Sequence, residues 1–373
     1  MGVYRMEEIF IYIDNIIDER QEWKVVHKLK DIVVIVLFGT LANADDWVEI
    51  EIFAKANKAI LKKFITLENG IPSHDTIQRV MSSINPEVFK RLVGLWNEML
   101  SKNEGEKLKK ILCIDGKTMR GNGNKNQEPL HIVSAWSKES GVCFGQTSEN
   151  SKGKEIPMIM DLLNTISVKN QVVTIDAIGT QTKIAEKIKA GKGDYVLAVK
   201  GNQRNLYDDL IQYFNDSELK SKCLSKKTTE KAHGQIESRV YYQTDDIKWL
   251  SSKKEWKGIQ SIGIVETTIT KNNRKTTEIR YYTSSLTPNI DLFAESVRGH
   301  WSVESMHWHL DVTFREDKNQ TLEKTAAENL NIFRKRALSI LKLFELDKKY
   351  SLKKKRFALS CNFALYLDKV MAI

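Results

Sequence analysis

The chain has 373 residues, 41% of them apolar and 28% charged, which is ordinary for a globular protein and long enough for two or three packed units. Its 58 Lys and Arg against 48 Asp and Glu give a formal charge of +10, favouring a polyanionic partner, nucleic acid first and an anionic membrane surface second. The four cysteines stand singly without a C-x-x-C pair, so neither a zinc ribbon nor a disulfide framework is expected.

Residues 1–105 read as helical. W-K-V-V-H-K-L-K-D-I-V-V-I-V-L-F-G-T-L and W-V-E-I-E-I-F-A-K-A both carry apolar residues at helical spacing. The run I-V-V-I-V-L-F at 32–38 is well short of the roughly 20 residues of a spanning helix and is followed by Gly39, Asn43 and Asp45, so no membrane association is expected. The stretch M-G-V-Y-R-M-E-E-I-F shows no export signal, and the expected location is the cytoplasm. After a break at E-N-G-I-P-S, Ser73 is placed to cap a helix H-D-T-I-Q-R-V-M, and N-P at 85–86 opens another. Helices around this turn would suit a helix-turn-helix with His74, Thr76, Gln78 and Arg79 facing DNA; the alternative is a helical region in which the turn is only a corner.

Texture changes over 106–216. K-I-L-C-I-D, H-I-V-S-A-W-S and V-C-F-G-Q-T-S read as strands, the last two joined by a tight turn at E-S-G. Helix, strand, helix, strand and helix follow: 155–166, V-V-T-I-D-A, T-Q-T-K-I-A-E-K-I-K-A, D-Y-V-L-A-V-K and N-Q-R-N-L-Y-D-D-L-I-Q-Y-F. Hairpin-joined strands followed by helical crossovers predict an α/β fold with a mixed sheet, antiparallel at one side and parallel at the other, with helices on both faces. This element order resembles the ribonuclease H-like fold. Residues 217–290 turn to strands again and read as a β-rich insertion, with a hairpin turn at K-N-N-R-K. Residues 291–373 are helical and include a basic run, Lys353 to Arg356, read as a solvated or nonspecific phosphate-binding patch.

Two aspartates end apolar strands, Asp115 in I-L-C-I-D-G-K-T and Asp176 in V-V-T-I-D-A-I-G-T-Q. Residues at the carboxyl ends of neighbouring parallel strands converge on one crevice, although a strand-terminal Asp before a turn also occurs without function. Converging carboxylates call for a cation or a proton, and hard oxygen donors suit Mg²⁺ or Mn²⁺. Two such ions about 4 Å apart can serve in-line attack on a phosphodiester, and such a pair normally takes a third acid. The stretch R-G-H-W-S-V-E-S-M-H-W-H-L-D at 298–311 offers Glu304. If helical, it carries His300, Glu304, His307 and Asp311 on one face, leaving Trp301, Val303 and Trp308 to pack as core elsewhere. A zinc set of His300, Glu304 and His307 lacks an H-E-x-x-H motif and cysteine support.

Over nearly its whole length the chain resembles the bacterial insertion-sequence transposases of the DDE class, H-repeat-associated type. L-A-N-A-D-D-W-V-E-I, N-G-I-P-S-H-D-T, I-D-G-K-T-M-R, T-I-D-A-I-G-T-Q, Y-V-L-A-V-K-G-N-Q, H-G-Q-I-E-S-R and G-H-W-S-V-E-S-M-H-W-H-L-D carry the resemblance in order. It implies cleavage of DNA at the ends of a mobile element and strand transfer into a target, with two Mg²⁺ ions (Mn²⁺ substituting) held by Asp115, Asp176 and Glu304. The partners it implies are double-stranded terminal inverted repeats and target DNA, and a homodimer when bound. The wider group surrounds its last acid with Tyr, Arg and Lys where this chain has Val297, His300 and Asp311. DNA contacts are therefore expected from Lys117, Arg120, Lys200, Asn202, Gln203, Arg298, His300, Trp301 and Arg315, with Asp311 orienting His307 or His300. His233, Glu237 and Arg239 match a family motif with no physical assignment from sequence.

Overall fold

The computed structural model describes residues 7–101, 110–150, 152–232, 234–272 and 274–372. The chain opens with helices α1 (Glu7–Asp14), α2 (Leu29–Leu41), α3 (Trp47–Ala56), α4 (Lys58–Leu61), α5 (His74–Ser83) and α6 (Pro86–Ser101). Helix α2 is apolar on every side and buried from Ile32 to Phe38, so the other helices pack around it. Among the described residues no helix is long and apolar enough to cross a membrane. Capping sets the helix starts: Asp46 accepts the Glu49 N–H, Ser73 accepts the Thr76 N–H, and Pro86 takes the first position of α6.

Strands β1 (Lys110–Thr118), β2 (His131–Ser137) and β3 (Cys143–Glu149) form an antiparallel meander. Helix α7 (Glu155–Thr165), β4 (Gln171–Ile175), α8 (Thr182–Ala190), β5 (Asp194–Val199) and α9 (Arg204–Asn215) follow, and β1, β4 and β5 pair in parallel. A short α10 (Ser217–Ser221) leads to β6 (Leu224–Ala232), β7 (Gln235–Thr244), β8 (Ser261–Lys271) and β9 (Arg274–Ser284). These four strands are no separate layer. β9 pairs antiparallel with β5, extending one mixed sheet to nine strands in the order β3-β2-β1-β4-β5-β9-β8-β7-β6. Helix α11 (Ile290–Trp308) then crosses the sheet, a π-helical turn occupies His309–Thr313, and α12 (Lys324–Leu343), α13 (Leu352–Cys361) and α14 (Phe363–Met371) close the chain.

Strand alternation decides what each face receives. Leu112, Ile114, Val173 and Ile175 pack with α7, α8 and α9 on one face. Ile111 and Cys113 join the core of α2, α11 and α12 on the other, and Val172 packs there against Phe293 and Val297 of α11. Helix α11 lies close on β1 because Gly299 has no side chain: a Cβ there would come within 2.9 Å of Lys138 and 3.4 Å of Ile111.

The basic run near the C-terminus departs from the solvated patch expected of it. Lys353 and Lys354 are exposed, but Lys355 is buried and donates to the Leu341 carbonyl at 2.8 Å. Arg356 is fully buried, bonded to the Thr40 carbonyl at 2.8 Å and to Asp45 at 2.8 Å. Charge counting along the sequence does not reveal that a helix turns this guanidinium inward to serve carbonyls of the first helices.

Candidate active site

The alternation that buries Ile111 and Cys113 under α11 carries Asp115 and Lys117 to the same face, and that of Val172 and Thr174 carries Asp176 there. Ile114 pairs with Ile175, so the two aspartates stand at the same level on adjacent parallel strands. Asp115 Oδ1 accepts the Gly116 N–H at 2.8 Å; Asp176 Oδ1 accepts the N–H groups of Ile178 at 3.1 Å and Gly179 at 3.3 Å. Glu304 projects from α11 into a cleft of about 440 Å³ that it shares with Asp176, Lys200, Arg280, His300 and Trp301.

The electrostatics are those of carboxylates short of positive charge. Burial raises the Asp115 pKa to about 7 against the opposing Gly116 N–H, with Asp176, Glu155 and Glu304 adding to the rise. Burial also raises Asp176, Glu155 adds to it, and Lys200 offsets part of it. Among the described residues no Lys or Arg bonds either aspartate; the His307 ring lies with Nδ1 at 3.5 Å from Asp115, and burial lowers its pKa to about 3. All-oxygen donors with uncompensated charge fit a hard divalent cation. As placed, no three His, Cys, Asp or Glu side chains among the described residues converge tightly enough to enclose an ion.

A fourth acid was not singled out from the sequence. Glu155, the first residue of α7, is buried beside His131, whose Nε2 lies 3.4 Å from its carboxylate. Both meet the chain at Gly116: a Cβ there would come within 2.6 Å of His131 Nε2 and 3.1 Å of the Glu155 carboxyl carbon. Gly116→Ala is expected to cost about 1–3 kcal/mol, read as a drop in urea midpoint at unchanged slope, and to displace the peptide that carries the Asp115 carboxylate.

The remaining sequence candidates divide into free and engaged groups. Lys200 is exposed at the cleft and Arg120 is exposed, while its N–H donates to Asp317 at 3.1 Å. Lys117 is engaged: its ammonium meets Asp311 at 2.8 Å, Glu316 at 3.0 Å and Asp317 at 3.4 Å. Burial opposes its charge, but these three carboxylates raise its pKa. Asp311 thus pairs with Lys117 instead of orienting His307 or His300. Asn202 donates to the Ala177 carbonyl at 2.6 Å and Gln203 to that of Thr180 at 2.9 Å, so both tie the end of β5 to the loop after Asp176. Arg315, in the left-handed region at φ 50°, pairs with Asp45 and, at 3.1 Å, with Glu49.

On α11, His300 Nδ1 lies 3.0 Å from the Thr174 hydroxyl, and burial with the nearby Arg280 lowers its pKa to about 4, so at neutral pH it brings no cation to a phosphate. Val303 packs in the core, but Trp301 and Trp308, expected there, are 39% and 55% exposed. The α-helix ends at Trp308, and the wider π turn that follows takes Asp311 toward Lys117. Arg298 reaches Glu230 at 3.2 Å. In α5, His74 Nδ1 is held by Glu51 at 2.7 Å, and Arg79 lies 3.4 Å from the Thr76 hydroxyl beside a cavity of about 850 Å³ shared with Arg20 and Lys24. Arg280 was missed by sequence reading because it lies in mid-strand and reaches the cleft only through the β9–β5 pairing.

Residues 106–340, which carry both strand-end aspartates and Glu304, match the family model described as Transposase DDE domain, and residues 10–97 match the model described as DDE_Tnp_1-associated. The chain belongs to the DDE transposases. Among its relatives are proteins named H repeat-associated putative transposases. It is 38% identical to "Putative transposase YncI" of Escherichia coli O157:H7, over 98% of this chain and 95% of that one. It is 35% identical to "H repeat-associated putative transposase YhhI" of Escherichia coli K12, over 90% of each. A shorter relative from the same strain, "Inactive transposase YbfQ", is 42% identical over 21% of this chain and 92% of its own length.

Proposed function

We propose that this chain binds the terminal inverted repeats of its element and catalyses Mg²⁺-dependent strand cleavage and strand transfer through Asp115, Asp176 and Glu304. One observation carries the reading: two half-buried aspartates at the same level on adjacent strands, bonded by no Lys or Arg among the described residues, beneath the helix that bears the glutamate. The order β3-β2-β1-β4-β5 with its antiparallel and parallel halves supports a ribonuclease H-like core over 106–216. Residues 217–290 are then the insertion, 291–373 the acidic helix with its supports, and 1–105 the DNA-binding region, with His74, Thr76 and Arg79 near its contact face.

Asp115, Asp176 and Glu304 would hold Mg²⁺, or Mn²⁺ in its place, as two ions. When bound, the metal supplies Lewis-acid activation of the attacking hydroxyl and charge neutralisation at the phosphodiester. The protein does the rest by positioning. Lys200 and Arg120 offer charge to DNA phosphates, Arg280 and Arg298 stand nearby but are paired with Glu278 at 2.9 Å and Glu230 at 3.2 Å, and Trp301 gives the strand an apolar face beside Glu304. Lys117, Asn202, Gln203, His300 and Arg315 serve by holding β1, the Asp176 loop and α11 in place. Holding two element ends together calls for a homodimer on DNA.

Incubating the protein with labelled end DNA, a target plasmid and Mg²⁺ tests the reading. Joined product is expected. Cut product alone would make the chain a metal-dependent nuclease, and a shifted but uncut complex would make it a DNA-binding protein without catalysis.

A further inference from the structure

The stretch H-G-Q-I-E-S-R at 233–239 has no part in the chemistry above, yet its strand reaches helix α11. His233 lies outside the described residues; Glu237 and Arg239 lie on β7, two apart and therefore on one face. Glu237 stands directly opposite Glu230 of β6, a like-charge pair that destabilises a sheet unless cations intervene. Two guanidiniums do so. Arg239 meets Glu237 at 2.5 Å and Glu230 at 3.4 Å, and Arg298 of α11 meets the same Glu230 at 3.2 Å.

These cations converge on one indole. Arg239, Arg298 and Arg280 lie 6.0, 5.4 and 5.8 Å from the centre of the Trp301 ring. Trp301 is one helical turn before Glu304 and lines the same cleft. Arg239 is only 4% exposed, so its charge is spent inside the protein and not offered to a ligand.

We infer that Glu237 and Arg239 are positioning residues: with Glu230 they clamp Trp301 and Arg298, and so fix the turn of α11 that presents Glu304 to the strand-end aspartates. The clamp gives the β-rich insertion a task in the active site, because the strands that intervene in sequence between Asp176 and Glu304 return to hold the helix. Guanidinium planarity matters here, since a lysine ammonium supplies charge without the flat contact to the indole or the forked contact to two carboxylates.

The inference rests on the proposed function, and its test separates the two. Arg239→Ala, Arg239→Lys and Glu237→Gln are compared with the wild-type chain by hydrogen exchange without metal or DNA, by end-DNA affinity, and by the Mg²⁺ dependence of end cleavage. Amides 300–306 are expected to exchange faster in Arg239→Ala while those of α12 do not change. End affinity should stay within about twofold, cleavage should fall by on the order of 10²-fold with a raised Mg²⁺ requirement, and the lysine variant should remain impaired. Unchanged exchange in α11 overturns the clamp. So does equal loosening of α12, which marks general destabilisation, or end affinity falling in step with cleavage, which marks a direct DNA contact. A wild-type chain that does not cleave removes the proposed function, and the exchange comparison still decides the clamp.

Discussion

Chains carrying Asp115→Ala, Asp176→Ala or Glu304→Ala are expected to bind element-end DNA and leave it uncut. The loss should be at least about 10³-fold, or roughly 4 kcal/mol of transition-state stabilisation. The three should fail alike, because a metal-holding set missing one carboxylate no longer completes the charge balance at the phosphodiester. Full cleavage by any one variant would remove that residue from the assignment. The metal-free protein offers an independent check on Asp115. Burial, together with the charges of Asp176, Glu155 and Glu304, raises its folded pKa to about 7. The stabilisation linked to the bound proton is therefore complete below the ordinary aspartate pKa and lost as pH rises through about 7. Asp115→Asn should raise the melting temperature of the metal-free chain at pH 8 and leave it nearly unchanged at pH 4; the reverse pattern would refute the sign.

Glu316→Gln should be the most damaging single-atom exchange away from the acids themselves. Glu316 is buried between Lys117 at 3.0 Å and Arg334 at 3.5 Å, and Asn331 donates to it at 2.8 Å. Arg334 continues to the Asp45 carbonyl at 2.8 Å, and the Asp45 carboxylate meets Arg356 at 2.8 Å. One chain of charges thus runs from the first helices to the residue two positions beyond Asp115. The exchange leaves the buried Arg334 without its carboxylate, while Lys117 keeps Asp311 and Asp317; a buried cation so stripped costs about 3–5 kcal/mol, measured as a fall in unfolding free energy at pH 7. Burial opposes the charge of Glu316, but Lys117 and Arg334 outweigh it and hold the pKa at about 2. Its contribution is present above the ordinary glutamate pKa and lost as pH falls toward 2. The gap between wild type and variant should therefore narrow from pH 5 to pH 2.5, and a gap independent of pH would show that packing, not charge, is responsible.

The element types, and the strand ends and helix that carry the proposed acids, were legible in the sequence because they are written in short-range patterns. Short apolar runs before Asp115 and Asp176 mark β1 and β4; Ser73 and Pro86 mark helix starts that the structure contains. The helical spacing that placed Glu304 on α11 is likewise local, although it did not foresee the π turn that carries Asp311 away.

What tertiary structure alone decided is which charges are free. Lys117, Arg315 and Arg356 read as available cations in the sequence, and each is held by carboxylates far along the chain. Trp301 and Trp308 read as core and stand in part in solvent. Arg280 and Glu155 carried no signal of their own, and Glu237 and Arg239 only a motif match without a role, since they reach the site only through the β9–β5 pairing, the docking of α7 and the return of β7 to α11. Local propensity and periodicity fix a residue's face within its own element. Whether a charge on that face meets solvent, DNA or an opposite charge depends on partners hundreds of positions away, and only the packed sheet and its helices bring those together.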